Sequence, residues 1–437
     1  MKNLPLLQQH GLRRSLHNEV HSRPPEALPN DTAVFCVVMW ADAAERAASR
    51  QWLYQLLREL HLPIPDGADD ANHLRLDLGN CRLRWELHTE FVSWTWMVPT
   101  NGATMQATGP QSASDAIPAQ WLAGLPGQCL LAMNVWVLAP AEGLERNIEH
   151  GWLYEDKLVA SQTAEQQAHI YTDFAIHSDG ASRLFVLNHG LPAARMGRLV
   201  QRLIEIETYR MAALLGLPAA RDTMEKLAAT EIELAQLSEA IRSAGTTSEP
   251  QLLDQLTRLA AQVESQYAAN HSRFSASTAY FALVQQRVGD IAETRLAGYQ
   301  TIRDFMDRRL TPARNTCVSA HQRLEALSQR VSRISNLLQA RVDISQKQGR
   351  QAVLKAMNER QGLQLKMQST VEGLSVAAIT YYFVGLISYL AKGLQKWGWP
   401  LSPETTAALA IPMVGLGVWW SIRRMHHRLF HGAQEHN

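Results

Sequence analysis

Cysteine patterns that would signal a metal or redox centre are missing from this chain. Its four cysteines, Cys36, Cys81, Cys129 and Cys317, form no CxxC pair, which excludes a zinc knuckle and a thioredoxin-like motif. Free thiols of a reducing compartment are the expectation. An HExxH pair, a Walker A loop, a GxGxxG turn and a GxSxG elbow are also missing. No standard zincin, P-loop, dinucleotide-binding or serine-hydrolase reading survives. Neither charge is in excess: 42 Lys and Arg stand against 41 Asp and Glu, so a nucleic-acid partner has no electrostatic support. The first residues, MKNLPLLQQHGLRRSLHNEVHSRPPE, lack the apolar core of a signal peptide.

What is present is a pair of long uncharged runs near the end, Gly373–Ala391 (GLSVAAITYYFVGLISYLA) and Thr405–Ile422 (TTAALAIPMVGLGVWWSI). At about 1.5 Å of rise per residue, each helix reaches roughly across a bilayer core of about 30 Å. Arg341, Lys347, Arg350, Lys355, Arg360 and Lys366 precede the first run. Arg423, Arg424 and Arg428 follow the second, with His426 and His427 among them, while the connecting loop offers Lys392 and Lys396. The positive-inside rule therefore predicts two transmembrane helices in the inner membrane, with head and tail cytoplasmic. Trp397, Trp399, Trp419 and Trp420 fall near the expected interfaces.

At 437 residues the chain exceeds one ordinary domain. Its first part reads as mixed α/β. Ala33–Trp40 is a continuous apolar run of the buried-strand kind, and Ala41–His61 has helical spacing. Short runs at 73–78, 82–88 and 91–98 predict strands, with Gly79–Asn80 as a hairpin turn. Residues 99–127 predict a loop with a short helix near 119–125, and further strands are expected at 130–138, 168–176 and 183–188. From Pro192 the period lengthens to that of a helix. Helices are expected over 196–215, from there to about Ser243, then over 251–270, 275–309 and 312–368. Leu324, Leu327, Val331, Ile334 and Leu338 keep the 3,4 spacing of a coiled-coil seam, which equally suits one helix packed on its own neighbours. The fold class is thus α+β. An α/β domain (1–190) is followed by an antiparallel helical stalk (191–369), a transmembrane hairpin (370–422) and a basic tail (423–437).

No catalytic set stands out, and no metal or cofactor is expected. His17 and His21 are four apart, but Arg23–Pro24–Pro25 argues against a helix there, and no carboxylate or cysteine completes a metal set. Glu149–Asp156 (EHGWLYED) reads as an acidic turn, Asp179–Gly180 as a hairpin turn, and Glu205, Glu207, Arg202 and Arg210 as an ion-pair network on a helix. If chemistry occurs, Glu155, Asp156, Asp173 and Asp179 are the residues to gather it. Gly373, Ala377 and Gly385 form a stripe of small residues on the first span, suited to close helix packing.

Several blocks resemble a bacterial family of uncharacterised membrane-anchored proteins, domain of unknown function 3422. They are His21–Ser22–Arg23–Pro24–Pro25, His88–Thr89–Glu90–Phe91, Thr172–Asp173–Phe174, Asp179–Gly180, Gly197–Tyr209 (GRLVQRLIEIETY) and Thr370–Gly385 (TVEGLSVAAITYYFVG). Ala181 departs from the family pattern, where a bulkier residue is expected. The resemblance implies a membrane anchor and supplies no catalytic residues. The order of parts also looks like that of CorA-type divalent-cation channels. The Gly-Met-Asn motif of those channels is absent, because the stretch after the first span reads Ala391–Lys392–Gly393–Leu394–Gln395–Lys396. The leading expectation is a membrane-tethered scaffold or interaction protein. Its partners would be the lipid bilayer, further copies of the chain and a cytoplasmic protein. A CorA-like channel and a membrane-surface enzyme are the alternatives.

Overall fold

The computed structural model describes residues 10–13, 16–17, 25–243, 248–395, 398, 400 and 402–431, without the side chains of 395 and 425–431. Outside the described residues lie His21–Pro24 of the first block, residues 244–247, Lys396, Trp397, Trp399 and the tail beyond His431; the His426, His427 and Arg428 side chains are likewise not described. The fold is α+β, with two compact units. Unit 1 comprises Met1–Ala244 and Gln251–Ser335, and unit 2 comprises Gly245–Pro250 and Asn336–Asn437.

The strands of unit 1 are β1 (Thr32–Trp40), β2 (His73–Asp77), β3 (Arg82–Leu87), β4 (Phe91–Pro99), β5 (Gln128–Leu138), β6 (Val159–Thr163), β7 (Ala168–Ile176), β8 (Ser182–Asn188) and β9 (Thr294–Arg295). They form one mixed sheet in the order β2-β3-β4-β1-β5-β8-β7-β6-β9. The parallel pair is β5·β8; the other neighbours are antiparallel. The alternation of side chains gives the sheet two faces. One face carries Phe35, Val37, Leu83, Trp85, Trp94, Trp96, Trp136, Tyr171 and Phe185, all buried in one core. Helix α1 (Ala43–Glu59) adds Leu53, Leu56 and Leu57 to this core, and its start is fixed by an Asp42–Glu45 capping box. Two further helices, α2 (Gly102–Thr108) and α3 (Ala119–Ala123), follow β4, with a 3-10 turn at Ala113–Ala116 between them. Trp121 of α3 meets Trp94 and Trp96 edge-on at centroid distances of 5.2 and 5.8 Å. Residues 99–127 are therefore more helical than expected.

A short helix α4 (Leu144–Asn147) leads from β5 towards β6. Helix α5 (Ala193–Leu214) follows β8 and contacts β5. Its register rests on Gly197, where an added Cβ would lie 1.5 Å from the Glu26 carbonyl oxygen. Helices α6 (Gly216–Ser243), α7 (Glu249–Asp290) and α8 (Ile302–Gln395) complete the helical part of the chain before the last helix. In α6 the buried residues Ala220, Thr223, Leu227, Thr230, Leu234 and Leu237 keep a 3,4 spacing. In α8, Leu310, Ala313, Cys317, Ala320, Leu324, Leu327 and Val331 do the same. Arg323 pairs with Glu231 at 2.7 Å, and Ser328 bonds Glu264, so the unit 1 portion of α8 meets α6 and α7 of its own chain.

Other elements also differ from the sequence expectation. Val159–Thr163 is a strand that its Ala and Ser content concealed. The helix expected over 275–309 is interrupted between Asp290 and Ile302 by a loop holding β9. Thr301 and Asp304 cap α8 reciprocally: Thr301 Oγ1 accepts the Asp304 N–H at 3.0 Å, and Asp304 Oδ2 accepts the Thr301 N–H at 3.3 Å. Pro312, expected to open a helix, lies inside α8.

Among the described residues, two helices have segments long and apolar enough to cross a membrane, and both segments fall in unit 2: the end of α8 and α9 (Pro403–His431). Val376, Thr380, Val384, Ile387, Ser388 and Ala391 are at least partly covered on α8, as are Ala410, Val414, Gly415, Val418 and Ile422 on α9. A Cβ at Gly415 would sit 3.8 Å from Thr380 Cγ2, which marks the close approach of the spans. Arg423 and Arg424 each lie 4.9 Å over the Trp419 and Trp420 rings, respectively.

Candidate functional site

Thr172–Asp173–Phe174 builds a bulge. The β7·β8 register shifts between Thr172 and Ile176, and Phe174 takes a positive φ of 52°. Two side chains hold this strained backbone. Thr172 Oγ1 accepts the Phe174 N–H at 3.2 Å, and Asp173 Oδ1 accepts the Ala175 N–H at 3.1 Å. The bulge turns Asp173 inward, where its side chain is fully buried. There its Oδ2 accepts the Tyr154 N–H at 2.9 Å and lies 2.8 Å from His177 Nε2. Tyr154 stacks on His177 with centroids 4.5 Å apart and planes 3° apart. Phe174 points to the helices, stacking on Phe305 at 4.4 Å with Arg210 5.5 Å over its ring. Glu207 holds Arg210 through two bonds of 2.8 and 2.7 Å.

The four expected acids do not share one task. Asp173 is consumed by the bulge and His177. Asp179 accepts the Ala181 N–H at 3.2 Å, pairs with Arg183 at 3.2 Å, and precedes Gly180 at φ 81°. That is a hairpin turn, with Ala181 buried behind it. Glu155 faces His150 at 3.3 Å on the surface, and Asp156 is exposed beside it. His88–Phe91 and the C-terminal half of α5 meet in space. Glu90 pairs with Arg273 at 3.0 Å and accepts the Tyr280 hydroxyl at 2.8 Å, while Tyr209 stacks on Tyr280 at 5.9 Å. Burial and Glu90 push the Tyr280 phenol well above its usual range. Between them lies a cavity of about 40 Å³ lined by Arg84, Glu86, Gln201 and Glu205 among others, room for about one water.

A second constellation was not anticipated. Glu145 on α4, His169 on β7 and His189 just after β8 bring one ligand atom each within 4.8 Å of one another. His169 Nδ1 is 3.4 Å from Glu145 Oε1, and the Tyr171 hydroxyl donates to the same oxygen at 3.2 Å. His169 and Tyr171 share a face of β7 because they are two residues apart. The two imidazoles stand 4.2 Å apart between centroids. Burial and the neighbouring His169 lower the His189 pKa, against an opposing pull from Glu145. Burial, then Glu145, raises that of Tyr171. Tyr299 is pushed up to about 12 by burial and by its hydrogen bond to Glu149. Positions 145, 169 and 189 carry no local spacing signal; only the alternation of His169 and Tyr171 hinted at a shared face.

On the first span, Gly373 and Gly385 face nothing within 4 Å, and Ala377 is exposed. Gly385 is nonetheless partly covered, and the close approach to α9 falls at Thr380.

The chain belongs to the family described as "Protein of unknown function (DUF3422)", whose pattern matches residues 8–429. No curated protein and no solved structure matches it.

Proposed function

We propose that the protein is a membrane-anchored scaffold or interaction protein that assembles with further copies of itself. The carrying observation is the stretch of α8 from Gln346 to Thr370, where every residue is exposed. Val353, Leu354, Met357, Leu363, Leu365 and Met367 stand 55–72% exposed there. An isolated helix in water is marginal without tertiary packing, and covering each such side chain gains about 1.5–3 kcal/mol. Self-association along this helix supplies both.

Lys347, Arg350, Lys355, Arg360 and Lys366 face only Glu359 in the same stretch. A basic helix close in sequence to a span suits the anionic cytoplasmic leaflet, which supports an inner-membrane protein with both termini in the cytoplasm. The domain scheme that goes with this reading is an α/β domain over 1–190, a helical stalk with a coiled-coil segment over 191–369, an anchor over 370–422 and a tail. A cytoplasmic protein partner would dock on the head. The buried, fully engaged carboxylate of Asp173 and the turn-forming role of Asp179 favour this reading over a surface enzyme built on those acids.

The test is the native mass of the detergent-purified full chain, combined with disulfide cross-linking of Met357→Cys in a Cys129→Ser background. A defined oligomer with an efficient cross-link through position 357 is the expected result. A monomer with no cross-link at any concentration overturns the proposal.

A further inference from the structure

We infer that Glu145, His169 and His189 bind a divalent transition-metal ion of the zinc type, at a site independent of membrane anchoring and assembly.

Two imidazoles and one carboxylate suit zinc and its neighbours better than calcium or magnesium, which prefer all-oxygen shells. Three protein ligands leave a fourth position open, as in zinc sites that hold a water or a substrate atom. With metal–ligand bonds of about 2.0–2.1 Å, the edge of a tetrahedron is about 3.4 Å. His169 Nδ1 and Glu145 Oε1 are separated by 3.4 Å, and all three ligand atoms lie within 4.8 Å, so small side-chain rotations close the remaining edges.

The ligands are held by the surrounding fold. His169 sits within β7, paired with Leu187 of β8, and its side chain is largely buried. His189 is fixed by its N–H bond to the Gln167 carbonyl at 2.8 Å. The next turn is held by Asn188 Oδ1, which accepts from the Gly190 and Leu191 N–H groups at 3.1 and 2.7 Å. The Tyr171 hydroxyl orients Glu145 from behind, as partners of ligating carboxylates do. Binding requires His169 to present a lone pair at Nδ1, so its ring proton moves to Nε2 and the ion takes the place of the hydrogen between ring and carboxylate. The arriving ion then meets a lone pair from each ring and a carboxylate oxygen.

The experiment titrates tag-free, detergent-purified full-length protein with Co²⁺, read by its visible absorption, and then displaces it with Zn²⁺ in competition with a chromophoric chelator. One ion per chain is expected. His189→Ala and Glu145→Gln, both at exposed positions, should weaken binding by more than the roughly 10–100-fold typical of supporting partners. Tyr171→Phe should weaken it within that range. Unchanged melting of the variants separates ligand loss from misfolding. His271→Ala, which removes a ring near His321 elsewhere in unit 1, should bind as wild type does. Absence of stoichiometric Co²⁺ or Zn²⁺ binding overturns the inference. So does equal loss in His271→Ala, or wild-type affinity in both His189→Ala and Glu145→Gln.

Discussion

Removing the Asp173 carboxyl group separates fastening from chemistry. Oδ2 accepts the Tyr154 N–H at 2.9 Å and approaches His177 Nε2 at 2.8 Å, while Oδ1 accepts the Ala175 N–H at 3.1 Å. Asp173→Ala strips a partner from two backbone donors and one imidazole. Each buried polar group left unpaired costs about 1–3 kcal/mol. Three groups lose a partner and relaxation of the 152–157 loop lets water reach some of them, so a total near 3–5 kcal/mol is expected. Asp173→Asn keeps one acceptor oxygen. Whichever way the amide turns, its NH₂ group confronts one of the two backbone N–H donors, so about 1–3 kcal/mol is lost. At about 2 °C per kcal/mol for a unit of this size, thermal unfolding should fall by about 6–10 °C for Ala and about 2–6 °C for Asn. Membrane insertion and the site at Glu145 should be intact in Asp173→Asn. Wild-type melting of Asp173→Ala, together with loss of the biological role, would refute the fastening argument and return Asp173 to the catalytic candidates.

Three other perturbations test other parts of the molecule. Gly197→Ala brings a Cβ to 1.5 Å from the Glu26 oxygen, a contact that must reach at least 3.0 Å before the side chain fits. The loss should sit at or above the upper end of the roughly 1–3 kcal/mol of overpacking, because the Leu28 N–H bond to the Ala193 carbonyl and the Arg82–Glu26 pair move with it; a wild-type urea midpoint would contradict this. Gly415→Leu should lower the thermal stability of the detergent-solubilised hairpin, while Gly373→Leu should not, since a Cβ at Gly415 meets Thr380 and one at Gly373 meets nothing; the reverse ranking would refute the Thr380 seam. An NMR titration should place the His189 midpoint below 6.5, with His169→Ala raising it and Glu145→Gln lowering it further. The sign follows from a depressed folded pKa: stability tied to the neutral ring is full above the unfolded value of about 6.5 and declines as pH falls through it towards the folded value. A midpoint at or above 6.5 would remove that argument.

The parts of the fold legible in the sequence were those whose local pattern agreed with their burial. Thr32–Trp40 is covered on both faces and so carries a continuous apolar run. Phe91–Pro99 alternates tryptophans with small polar residues, which face the buried Arg84–Glu86 pair instead of solvent. Val159–Thr163 escaped notice because Ala160 and Ser161 fill its interior without bulk; both are fully buried. The break before Ile302 was hidden because Val288, Ile291, Ile302 and Met306 are all buried apolar residues that continue the helical rhythm across it. The Thr301–Asp304 capping box and Gly298 at φ 91° were the signals that outranked it. The acidic residues were legible as turn formers, and the turn reading describes Asp179 well. The Glu145 cluster was illegible because a short helix, a strand and the turn after the next strand assemble it from distant positions.

The contrast between these carboxyl groups argues for where a ligand search should begin. Asp173 and Glu207 are buried and held by bonds of 2.7–3.1 Å from backbone N–H groups and an arginine, with a histidine nitrogen 2.8 Å from Asp173. A cation arriving there would have to break those bonds before making its own. Glu145 is different. It meets an imidazole at 3.4 Å and a phenol at 3.2 Å, both long, and half of its side chain is open to solvent. Glu149 and Glu155 lie close in sequence to Glu145 and add negative charge to this part of the chain. The gain from binding is therefore greatest where the existing bonds are weakest, and Glu149→Gln should reduce metal affinity by less than any ligand substitution while leaving the one-to-one stoichiometry in place.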